Sequence, residues 1–123
     1  MRRLAFLLGS AMLFGCTPAA PPQPLDGVWR LVTAHFPLDP HTLTLIQHDG
    51  AVTGTGEAMG VDVPIAVTVT GTVSLPAVTL TFGYGGGDAR YTANLQSDSL
   101  LVGQRVYDPT FGGMADSLAF VRQ

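Results

Sequence analysis

The sequence predicts an all-β fold: a small eight-stranded antiparallel up-and-down barrel preceded by a signal peptide and a Pro-rich tether. Three observations carry that expectation. From Asp26 onward apolar and polar residues alternate with a period of two, the spacing of a half-buried strand. No window of ten or more residues has the 3.6-residue spacing of an amphipathic helix. Turn residues separate eight short runs rich in Thr, Val and Leu, a composition that suits a pleated surface and points to a barrel or a sandwich. A chain of 123 residues is one domain's worth.

Taken in order, the chain begins with Arg2 and Arg3 and continues as an apolar stretch over 4–14, relieved by Gly9 and Ser10. That stretch is too short for a bilayer core, which needs about 20 residues. A basic start, a short apolar run and small residues near a cleavage point describe a secretory signal peptide over 1–15. It ends in Leu13-Phe14-Gly15-Cys16, and Cys16 is the sole cysteine. One cysteine excludes an internal disulfide and a multi-cysteine zinc site.

The Leu13-Phe14-Gly15-Cys16 string resembles the bacterial lipobox. That resemblance implies cleavage before Cys16, diacylglycerol on its thiol and an added acyl chain such as palmitate. Two or more chains hold a protein stably in a membrane, at about 0.8 kcal/mol per buried methylene. Cleavage removes Arg2 and Arg3 and leaves four Arg against nine acids, a formal charge of -5 with no Lys. Such a body has no electrostatic attraction to anionic headgroups or to nucleic acid. The expected location is the bacterial cell envelope. Thr17, rather than Asp, follows the cysteine, which implies the outer membrane, facing the periplasm or the surface, if the source has two membranes.

Residues 16–25 read as the lipidated Cys and a linker. The stretch TPAAPPQP over 17–24 holds four prolines in eight residues and should extend at about 3.1 Å per residue, a spacer of roughly 25 Å. The domain then runs over 26–123. Its predicted strands are 27–35, 42–48, 51–58, 64–73, 77–84, 89–95, 99–106 and 117–122.

Asp49-Gly50 is a type I′ hairpin signature, which pairs His48 with Ala51, Leu45 with Gly54 and Leu43 with Gly56. A two-residue Ser97-Asp98 turn pairs Leu95 with Leu100, Ala93 with Val102 and Tyr91 with Gln104. Ile65, Val67 and Val69 share one face, as do Val78, Leu80 and Phe82, while Thr68, Thr70, Thr79 and Thr81 face the other way. One face is dry and one wet. Inward Gly54 and Gly56 leave room where a small barrel bends tightly.

Asp26-Gly27-Val28-Trp29 opens the first strand, and LTLIQHDGAVTGTGEA follows over 43–58. The Gly-x-Trp looks like that of the calycins, the lipocalins and avidins, and the longer stretch is similar to the second and third strands of avidin-type barrels. In calycins the early Trp lies across the closed end beneath an Arg from a late strand. Arg122 shares the parity of Leu118 and Phe120, so the resemblance implies a closed-end pair of Trp29 and Arg122. Avidin-type biotin sites use several tryptophans, whereas this chain has only Trp29. The resemblance is therefore to a minimal lipocalin-like lipoprotein barrel.

Strand direction places the tether and the tight turns at one end and the longer connections at the other. Polar residues expected inward near that loop-rich mouth are His35, Tyr84, Tyr91 and Gln104. They could orient a small apolar ligand or plug the barrel and satisfy one another. The connection over 107–116, YDPTFGGMAD, is unusually apolar, and Tyr107, Pro109, Phe111 and Met114 could form a protein-binding patch.

Catalytic chemistry is not visible. His35 and His41 belong to the mouth and His48 to the opposite end, roughly 20 Å away, so the three cannot share a metal. No Ser sits in a Gly-x-Ser-x-Gly elbow, and Glu57 is the only Glu, on the wet face opposite Thr42. Gly54-x-Gly56-x-x-x-Gly60 lies within a strand and opens no helix, unlike a dinucleotide fingerprint. The expected function is non-catalytic, without metal or cofactor. A monomeric lipid-anchored barrel would bind a small apolar ligand or an envelope protein at its loop-rich end. The alternative is a scaffold or hydrolase inhibitor acting through 107–116.

Overall fold

The computed structural model describes residues 21–32, 39–60, 62–108 and 113–123. The leader with Leu13, Phe14 and Gly15, Cys16 itself, and His35, Pro109 and Phe111 lie outside the described residues. Eight antiparallel strands close a barrel in sequence order: β1 (Gly27–Leu31), β2 (Pro40–His48), β3 (Ala51–Met59), β4 (Pro64–Ser74), β5 (Ala77–Gly83), β6 (Asp88–Ser97), β7 (Leu100–Tyr107) and β8 (Ala115–Arg122). There is no helix among the described residues. Of the run expected over 27–35, Gly27–Leu31 is strand and Val32 is not, while residues 33–35 lie outside the described residues.

The β2–β3 hairpin has the register that Asp49-Gly50 predicts, from His48↔Ala51 through Leu45↔Gly54 to Leu43↔Gly56. Its turn is not a full type I′, because Asp49 takes a φ of 55° while Gly50 does not enter the left-handed region. A side chain at Gly56 would put its Cβ 2.6 Å from the Thr42 carbonyl oxygen and 2.8 Å from Leu43 Cδ2. Glycine is what lets the two strands coil this closely.

The β6–β7 hairpin differs from the expected register by one residue. The turn is Asp98-Ser99, Ser97 pairs with Leu100, and a bulge between Leu95 and Ser97 absorbs the extra residue. Tyr91 therefore pairs with Arg105 and Ala93 with Gly103. A one-residue slip turns every side chain of a strand to the other face, so Leu101, Arg105 and Tyr107 point inward and Gln104 points out. Both parities of β7 contain apolar residues, and periodicity alone could not choose between them.

The core fills the barrel axis. Phe82, Tyr91 and Phe120 are fully buried; Phe82 stacks on Tyr91 at 5.6 Å between centroids, and Phe120 meets Tyr91 edge-on at 5.5 Å. These are favourable aromatic geometries. Val67, Val69, Val78, Leu80 and Leu118 pack around them. Outside, threonines face one another across the strands, as in the row Thr53↔Thr70↔Thr81.

Candidate functional site

The tight turns at 49–50, 75–76 and 98–99 lie at the end where β1 begins, with the chain's last residue beside them: the Gln123 amide donates to the Val28 carbonyl at 2.8 Å. The connections after β1, β3, β5 and β7 lie at the other end. The two ends, the β1 end and an open end that carries the longer connections, are built from different chemistry.

At the β1 end, Leu25 is fully buried although its sequence context reads as linker. Its N–H donates to Gln47 Oε1 at 3.0 Å, and its carbonyl accepts from Trp29 Nε1 at 3.0 Å. Gln47 Nε2 donates to the Asp49 carbonyl at 2.8 Å. Arg122 lies with its Cζ 4.6 Å from the Trp29 ring centroid. Its Nε donates to the Asp98 carbonyl at 2.9 Å, and its two terminal nitrogens donate to the carbonyls of Asp26 and Pro24. Gly27 has a φ of 126°, and a Cβ there would sit 3.2 Å from Arg122 Nη1. The glycine of the Gly-x-Trp string thus serves both the turn and the approach of the guanidinium.

Asp26 joins the same end. Its carboxylate accepts the N–H groups of Gln47 at 2.7 Å and Gln23 at 2.8 Å. These backbone donors, that of Gln23 first, hold its pKa below the ordinary aspartate value.

At the open end the sequence reading missed the central residue. Arg105 is fully buried. Its Nε donates to Asp116 Oδ1 at 3.0 Å, Nη2 donates to carboxylate oxygens of both Asp39 and Asp116, and Nη1 reaches the Tyr84 hydroxyl at 3.3 Å. Its Cζ sits 4.4 Å from the Tyr107 ring centroid. Asp39 is as buried as Arg105, whereas the Asp116 side chain is 30% exposed. Burial disfavours the Arg105 charge, but the hydrogen bonds it donates to Asp116 and Asp39 more than offset it and raise the pKa. Burial pushes the Tyr84 hydroxyl up to about 12 despite the opposing guanidinium, and raises that of Tyr107 as well. Both tyrosines are neutral at physiological pH.

Of the residues expected to line the mouth, the three that are described, Tyr84, Tyr91 and Gln104, are not brought together. Tyr84 meets Arg105 near the rim, but Tyr91 is deep in the core, where its hydroxyl donates to the Leu118 carbonyl at 2.8 Å. Burial raises its pKa too. Gln104 is exposed on the outer wall opposite Thr92 and Ser117, so it does not line the interior, for the register reason given above. In the expected apolar patch, Tyr107 is buried under Arg105 while Met114 is 63% exposed.

Other apolar side chains are exposed at that end. Val32, Met59, Val63 and Val106 are each exposed by 45% or more, and all stand at the ends of strands or in connections around the opening. A solvent-open groove of about 600 Å³ runs beside Arg90, Val106 and Asp108. Among the described residues no three His, Cys, Asp or Glu side chains converge to hold a metal. His41 and His48 fall at opposite ends of β2. No family model matches the chain, and no curated protein or solved structure matches it either.

Proposed function

We propose that this chain is a lipid-anchored bacterial envelope protein whose non-catalytic barrel binds a protein partner at its open end. The anchor rests on the Leu13-Phe14-Gly15-Cys16 string and on the placement of the only cysteine within it. The choice of a protein over a small apolar ligand rests on one observation. The barrel axis is occupied by Phe82, Tyr91 and Phe120 in mutual contact, and an eight-stranded barrel has room for side chains or one small ligand. What remains accessible is the rim, where Val63 and Met114 are more than 60% exposed. Exposed apolar residues spaced around a rigid rim are a surface that suits protein recognition.

Metabolic labelling with radioactive palmitate tests the anchor. The wild-type chain should incorporate label and fractionate with membranes, and Cys16→Ser should do neither. A photo-crosslinking amino acid at Met114 or Val63, compared with one at the exposed Thr72 on the barrel wall, tests the docking end. Crosslinks to one discrete protein from the rim positions alone are expected; equal crosslinking from Thr72, or none from the rim, contradicts the reading.

A further inference from the structure

We infer that the last residues of the tether are clamped onto the barrel, so that a lipid at Cys16 would hold the barrel with its open end turned away from the membrane. The orientation rests on the anchor reading above; the clamp does not.

Two side chains from distant parts of the chain, Arg122 and Gln47, and the segment's own Asp26 fasten residues 23–26. Arg122 donates to the Pro24 and Asp26 carbonyls, across 98 and 96 residues of sequence. Gln47 accepts the Leu25 N–H, and Asp26 joins the backbone of β2 to Gln23 through one carboxylate. The fully buried Leu25 side chain completes the fastening. The pivot of the tether therefore lies at Gln23 rather than where β1 begins.

That difference decides the geometry. From Cys16 to Gln23 is seven residue steps, about 22 Å at the rise of a Pro-rich chain. Each headgroup layer takes up about 5–7 Å, leaving the clamped end about 15 Å above it. The nine-residue strands β2 and β3, at the tilt of a small barrel, make it roughly 20–25 Å tall. An inverted barrel does not fit in that space. With a free pivot at Gly27 the leash would be eleven steps and about 34 Å, and inversion would fit. The partner at the open end is thus one met from the aqueous side, not one embedded in the membrane that holds the anchor.

Two measurements separate clamp from anchor. In the full chain with Cys16→Ser, the Leu25 amide should exchange its hydrogen slowly, and Gln47→Ala should speed that exchange at least tenfold while β4 and β5 amides stay unchanged. Fast exchange of Leu25 without the Gln47 change overturns the clamp. For orientation, the mature lipidated protein carries one fluorophore, at Ser99→Cys or at Gly86→Cys, in phosphatidylethanolamine–phosphatidylglycerol vesicles with a headgroup-borne quencher. Quenching should be several-fold stronger at 99 than at 86, and ten Gly-Ser residues inserted between Pro21 and Pro22 should shrink the difference. Equal quenching without the insertion overturns the orientation. Failure of the wild type to bind vesicles sinks the anchor and the orientation together, with the exchange result left to judge the clamp alone.

Discussion

Arg105 is a buried cation between two carboxylates, and its removal strands Asp39 in a site with no exposed surface. Breaking such a pair from one side costs about 3–5 kcal/mol, whereas replacing both partners by apolar groups can be nearly neutral. Arg105→Leu should accordingly lower stability in urea unfolding by about that amount, and adding Asp39→Ala should restore much of it. Asp26 behaves differently because its partners are backbone N–H groups. Its folded pKa is lowered, so its contribution is complete above the unfolded aspartate value near 4 and is lost as pH falls through the lower folded value. Asp26→Asn should flatten the decline in urea midpoint below about pH 4 relative to wild type, and leave neutral-pH titration unchanged. These roles were unequally legible. The parity of Arg122 could be read from Leu118 and Phe120, but Arg105 was hidden because the bulge beside Ser97 has no sequence signature of its own.

Among the elements, the hairpins show how far local signals reach. Asp49-Gly50 stands between two runs whose inward residues are Leu on one side and Gly on the other, so only one register packs, and it could be counted from the turn. Ser97, Asp98 and Ser99 offer two overlapping two-residue turns, and the outward set Leu100, Val102 and Val106 is as apolar as the inward set. The choice there falls to long-range packing of Tyr107 on Arg105 and of Leu101 on Phe120, which no short window contains. Glycine placement gives the element-scale prediction. Gly56→Ala pushes a methyl into the Thr42 carbonyl and Leu43, and overpacking of this kind costs about 1–3 kcal/mol. A thermal melt should show the loss, with far-UV circular dichroism unchanged at low temperature.

For the whole molecule, closure depends on its shortest strand. The five residues of β1 pair with β8 only through Trp29↔Arg122, Arg30↔Val121 and Leu31↔Phe120. Around that seam the Val32 amide donates to Ala119 at 2.9 Å and the Gln123 amide to Val28 at 2.8 Å. Local opening is favoured where few contacts hold, so among the hydrogen-bonded amides of the barrel exchange should be fastest at Val32 and Gln123 and slowest along β4 and β5. Uniform protection around the barrel would contradict this. The all-β class was legible from period and turns because most strands alternate, although β7 carries apolar residues on both faces. The chemistry of the open end was not, since it joins Asp39, Tyr84, Arg105 and Asp116 from four separate stretches.

The nearness of Gln123 to Val28 also bears on engineering. With the two ends of the folded unit side by side, a short bridge could join them and new ends could be cut between Gly85 and Gly86, exposed positions in a connection between neighbouring strands. A circular permutant of that kind keeps every strand pairing, because chain order is irrelevant to a closed ring of antiparallel neighbours. It would also move any reporter fused at the new ends to the opposite pole from the tether.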